Sequence, residues 1–224
     1  MRATYDSCNN ALSRRGQHLQ RRLRPVPSGE RIHLVLDSTG LSIFGEGEWA
    51  AAKHGGRGRR GWEKLHLGVD RSGVILAHTL TEATVDDATT ALDLITAVDG
   101  NLVSVIADAA YDTVAVYETA GARGATVVVP PARTANVSRH GPRSAARDRT
   151  IRSVKTLGRR RWQKAAGYHR QARAENAFFR YKSIIGDSLR ARSPAGQGSE
   201  AVLGCEILNR MTALGRPASY SIGR

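Results

Sequence analysis

The sequence predicts an α/β fold built on a mixed five-stranded sheet flanked by helices. Three observations carry this. Leu34-Val35-Leu36 is an aliphatic run bounded by Gly29 and Gly40, as in a strand buried on both faces, and it runs into Asp37. Leu102 to Ala107 repeats the pattern and runs into Asp108. Between and after them, two alternating segments are followed by helix, strand, helix and strand, so a meander is joined to α/β crossovers.

The elements follow in order. Ala11 to Arg24 reads as a basic helix with Leu12, Leu19 and Leu23 on one side, ended by Pro25-Val26-Pro27. With so few apolar positions it is no independent domain. The first strand covers 32–37, with Leu41 to Phe44 as its extension or hairpin partner. A Gly- and Arg-rich loop, His54 to Trp62, leads to strands at Lys64–Val69 and Val74–Leu80, joined by a turn at Asp70-Arg71-Ser72-Gly73. Asp70 belongs to that turn.

A helix follows over Asp86–Val98, with both aspartates in the first turn where the helix dipole favours them. The strand ending at Asp108 comes next, then a helix from Asp112, its N-cap, to Gly121, and a buried strand over Ala125–Val129 cut off by Pro130-Pro131. Residues 132–165 show little periodicity and read as a long basic loop. Helices over Tyr168–Ile185 and Glu200–Leu214 close the chain.

Charge sets the class of partner. The chain has 34 Lys and Arg against 20 Asp and Glu, a formal net charge of +14. Residues 37–130 carry 7 basic against 13 acidic side chains, whereas 131–192 carry 17 against 3. An acidic centre beside a strongly basic, mostly Arg segment suits an enzyme that holds cations and grips a polyanion such as DNA. Cys8 and Cys205 have no metal-ligand spacing and read as cytosolic thiols. The seven histidines show no zinc-ligand spacing either. No apolar stretch is long enough to span a membrane, and the basic N-terminus has no apolar signal core.

If the strands ending at Asp37 and Asp108 lie parallel and adjacent, both carboxylates emerge at one edge, where they repel unless a cation such as Mg²⁺ joins them. The third acid is Glu175. On a regular helix Tyr168, Gln171, Glu175 and Lys182 share one stripe, beside an apolar seam of Ala174, Phe178, Tyr181 and Ile185. Arg57, Arg59 and Arg60 in the glycine-rich loop, Arg160 and Arg161 beside Trp162, and Arg180 add candidate DNA contacts. Trp162 would stack on a base or pack beneath its basic run.

These residues resemble the IS5-like insertion-sequence transposases, whose DDE catalytic domain has the RNase H-like fold. The late signature of that group is Tyr, two residues, Arg, three residues, Glu, six residues, Lys; Tyr168, Glu175 and Lys182 match it, with Gln171 in the Arg position. Asp108-Ala-Ala-Tyr111 resembles the second signature, with Ala110 in place of Gly, and Leu36-Asp37-Ser38-Thr39-Gly40 the first. The similarity runs from about residue 30 to 216.

The resemblance implies Asp37, Asp108 and Glu175 as catalytic ligands of two Mg²⁺ or Mn²⁺ ions, with DNA cleavage and strand transfer at terminal inverted repeats. It also implies a homo-oligomer working on double-stranded DNA in the bacterial cytoplasm, associated with the nucleoid. Residues 30–216 would be the catalytic domain, 1–29 a basic remnant of a DNA-recognition region and 217–224 a tail. The alternatives are a truncated, catalytically inactive DNA-binding copy, or a nuclease outside transposition.

Overall fold

The computed structural model describes residues 23, 31–43, 61–138, 144–191 and 193–215. The Arg57, Arg59 and Arg60 loop lies outside them, as does the expected N-terminal helix except for Leu23, which packs half-buried on the core.

Strand β1 (Arg31–Ile43) does not stop at Asp37 but continues through Leu41, the extension rather than the hairpin. It is the centre of the sheet. Along one edge it pairs antiparallel with β2 (Trp62–Val69), which pairs antiparallel with β3 (Ile75–Glu82). Along the other edge its first half pairs parallel with β4 (Asn101–Ile106), and β4 pairs parallel with β5 (Thr126–Val128). A two-residue strand not foreseen from sequence, β6 (Ser188–Leu189), pairs parallel with the far end of β1. The five expected strands are all present, in the order β3-β2-β1-β4-β5, and the mixed sheet with its helices is consistent with an RNase H-like fold.

Six α-helices are present among the described residues, and four of them pack on the sheet. On one face lie α1 (Asp87–Ala97) and α2 (Val114–Ala122). Leu34 and Leu36 pack there with Ala91, Leu94, Ile95 and Val116. On the other face α5 (Ala172–Arg180) and α6 (Pro194–Ala213) meet Val35, Leu41, Leu65 and Ile106 through Ala174, Phe178, Tyr181 and Leu208. Successive residues of β1 thus feed opposite cores, which is why its apolar run does not alternate with polar residues.

The stretch expected to be a loop contains α3 (Ala145–Leu157) and α4 (Arg159–Ala166). Ser144 caps α3 by accepting a bond from the Arg147 N–H, and Gly158, at φ 77°, ends it. The difference has a physical cause: only Asp148 and Ile151 of α3 and Trp162 of α4 are buried, too few for a helical period to show. The final helix also begins earlier than expected, at Pro194 after a Ser193 cap; Gly196 and Gly198 hid its first turns.

Candidate active site

The register of the sheet brings the first two acids together. The last β1–β4 pair is Val35 with Ile106, and Asp37 and Asp108 each lie two residues further on. Because side chains alternate, both continue the face of Val35 and Ile106, the face covered by α5. Glu175 stands exposed on α5. The parallel, adjacent placement expected of the two strands is what the structure shows.

Each acid has a different setting. Asp37 is half-buried, and its Oδ1 accepts a bond from the Ser38 N–H at 2.8 Å. Burial pushes its carboxyl up to about 6, and the charges of Asp108, Glu175 and Asp87 push the same way against that bond. Asp108 is exposed and caps a 3₁₀ turn, Ala109–Tyr111, accepting from the Ala110 N–H at 2.8 Å. Tyr111 beneath it is buried and bonds Ser38; burial first, then Asp87, Asp37 and Asp108, push its phenol well up, so it stays protonated.

The helix expected over 168–185 is three segments: a 3₁₀ turn (Tyr168–Gln171), α5, and a π turn (Tyr181–Ile185). Its twist is uneven, so the expected straight stripe does not hold. Tyr168 is half-buried; burial raises its phenol, and the charges of Asp108, Asp37 and Glu175 add to this. Gln171 turns inward instead of facing solvent, and its Nε2 donates to the Leu36 carbonyl at 3.2 Å, next to Asp37. Lys182 is exposed on the π turn. The expected seam is present, with Ala174, Phe178 and Tyr181 buried and Ile185 half-buried.

The other candidates divide. Arg160 and Arg161 are exposed on α4, whereas Trp162 packs beneath them in the core. Arg180 is spent on α6, donating to Thr212 Oγ1 at 2.9 Å and to the Leu208 carbonyl at 3.3 Å. Asp112 is not the cap of α2, a position Thr113 holds. It is buried and accepts two bonds from Arg147, at 2.8 and 2.9 Å, and one from the Ala132 N–H at 2.9 Å. Asp70 closes its turn, accepting from the Ser72 and Val74 N–H groups.

Sequence reasoning gave no role to Lys64 and His66. Lys64 donates to Asp87 Oδ1 at 2.9 Å and to the Val85 carbonyl at 2.6 Å, tying β2 to the start of α1. His66 is fully buried against Thr81, and burial lowers its pKa, so it is neutral although Asp87 lies 3.7 Å away. An alternating Lys64-Leu-His66 on a strand marks polar side chains sharing one face, but nothing in the sequence reveals the partner.

The transposase DDE domain family matches residues 28–210. The chain belongs to that family. The register places Asp37 and Asp108 two residues beyond the last β1–β4 pair, and the charges of Asp108 and Glu175 both reach Asp37. No solved structure matches the chain. Among the described residues no three His, Cys, Asp or Glu side chains form a ready-made metal cage. What these acids offer a hard divalent cation is an all-oxygen donor set, in which the Asp37 carboxyl is raised first by burial and then by the charges of Asp108 and Glu175. No described helix of the DDE domain is long and apolar enough to cross a membrane.

Proposed function

We propose that this chain is an IS5-like insertion-sequence transposase that cleaves and joins DNA strands at terminal inverted repeats. The observation that carries the proposal is the placement of Asp37 and Asp108 at matched positions of two parallel strands, under a helix bearing Glu175. These three side chains would hold Mg²⁺ or Mn²⁺, which when bound supplies neutralisation of phosphate charge and a more acidic attacking hydroxyl or water.

The chain's own contributions are positional. Gln171 ties the 3₁₀ turn leading into α5 to the backbone beside Asp37, so the helix and strand acids keep a fixed relation. Ala110 and Ser38 N–H groups orient the two aspartates. Tyr168, Lys182, Arg160 and Arg161 would contact the DNA backbone. A pair of copies assembled on the two transposon ends is part of the same proposal, as is a working place on the bacterial nucleoid.

The test is strand cleavage and strand transfer on terminal-repeat duplex DNA with Mg²⁺ or Mn²⁺. Activity is expected with either cation, and full activity in Asp37→Asn or Glu175→Gln would overturn the mechanism. A second reading, an inactive DNA-binding copy, is favoured by Gln171 in the Arg position and Ala110 in the Gly position of the two signatures. Salt-sensitive DNA binding without cleavage under any divalent cation would select it.

A further inference from the structure

Beside the carboxylate centre is an open groove of about 370 Å³ with Val35 at its floor. Three elements build it: Arg71 from the β2–β3 turn, His169 and Arg170 from the 3₁₀ turn, and Arg173 and Asn176 from α5. Arg173 and Asn176 are three residues apart on one face of α5, whereas Glu175 is turned away from Arg173. The pairing of Val35 with Val69 brings the Arg71 turn alongside.

The groove is a concentration of positive charge. Among the described residues no ion pair or hydrogen bond engages the guanidinium groups of Arg71, Arg170 or Arg173. Arg170 is folded back on Gly167, where a Cβ would meet its Nη1 at 3.2 Å, so its position is set by packing. His33, on β1 nearby, senses the cluster: burial lowers its pKa most, and Arg71, Arg170 and Arg31 lower it further. Gathering like charges costs self-repulsion, and Arg forks match phosphate oxygens in geometry.

We infer that Arg71, Arg170 and Arg173 form a second phosphate-binding site, separate from the three acids, that grips the backbone of the DNA next to the bond being cut. This rests on DNA being the substrate. Val35 precedes Asp37 by two residues on the same face, a displacement of about 7 Å along the strand. A duplex whose scissile phosphate reaches Asp37 would therefore pass over the groove.

The experiment measures DNA affinity against salt concentration for three proteins. They are the wild type, Arg71→Gln/Arg170→Gln/Arg173→Gln, and a control of equal charge change on α3, Arg149→Gln/Arg152→Gln/Lys155→Gln. The groove variant is expected to lower the slope of log affinity against log salt by up to about 2.7, at about 0.9 for each phosphate no longer neutralised. The control should change it far less. Arg173→Gln alone, at an exposed position, should lower the slope by about 0.9 and guards against misfolding of the triple variant.

Equal effects from groove and control variants, or no effect from the groove variant, would overturn the site while leaving the transposase reading intact. No DNA binding by the wild type would overturn both. Inorganic phosphate at matched ionic strength is expected to leave wild-type binding unchanged. Its displacing DNA from the wild type alone would assign the groove to free phosphate instead.

Discussion

Asp37 pays for its position in stability, and the sign can be worked out. Its carboxyl is raised from 3.8 to about 6, so the folded state prefers the protonated form. Its contribution is fully present below about pH 3.8 and is lost as pH rises through about 6. Asp37→Asn should therefore raise stability at pH 7–8, by about 1–2 kcal/mol allowing for its partial exposure, and flatten the pH 4–6 dependence. Urea denaturation at a series of pH values checks this. A variant that gained stability while losing cleavage would show directly that the acid is kept for function. Gln171 makes the opposite case: Gln171→Met strands the Leu36 carbonyl and should cost about 1 kcal/mol in the same assay. The strand-end places of Asp37 and Asp108 and the helical place of Glu175 were legible in the sequence because each follows or lies within a recognisable apolar pattern. The inward turn of Gln171 was not, since it depends on a 3₁₀ segment that a uniform helical period conceals.

At the level of elements, the basic stretch before α5 is held by one buried ion pair. Asp112 and Arg147 join the end of the 3₁₀ turn after β4 to α3. Arg147→Ala leaves a buried, uncompensated carboxylate and should cost about 3–5 kcal/mol. Because neither residue touches the three acids, any Mg²⁺-induced rise in melting temperature should survive in the folded fraction. The junction of α6 with the π turn is equally exacting. A Cβ on Gly204 would meet Tyr181 Cε2 and Oη at 2.8 Å, so Gly204→Ala should destabilise by about 1–3 kcal/mol, read in thermal melts. Strands and the main helices could be read from periodicity, because they bury continuous apolar faces. α3 and α4 could not, because they bury only Asp148, Ile151 and Trp162 and are tied down further by the Asp112–Arg147 pair.

Across the molecule, the acidic centre and basic flanks read from the chain become neighbouring surfaces. Asp37 and Asp108 lie just beyond the paired positions of β1 and β4, while Arg160, Arg161 and Lys182 stand exposed on segments that flank α5 in the chain. DNA affinity should accordingly fall by about 10³-fold or more between 50 and 200 mM salt if six or more phosphates are contacted. Fluorescence anisotropy with a duplex probe measures this, and an affinity flat over that range would contradict an electrostatic grip. Total charge was readable from composition, but the groove was not. Arg71 joins Arg170 and Arg173 only because Val35 and Val69 are paired.

The edge of β1 between β4 and β6 leaves one more consequence. Among the described residues that edge has no strand partner after Val35 until Ser42, whose N–H donates to the Asp187 carbonyl. In the interval Gln171 holds the Leu36 carbonyl and the Asp37 carboxylate holds the Ser38 N–H. A cation held through the other carboxylate oxygen would pin the group that accepts from the Ser38 amide. The proton on a single backbone nitrogen then becomes a gauge of what Asp37 is holding: its exchange with deuterium should slow as Mg²⁺ is added, and stay unchanged in Asp37→Asn.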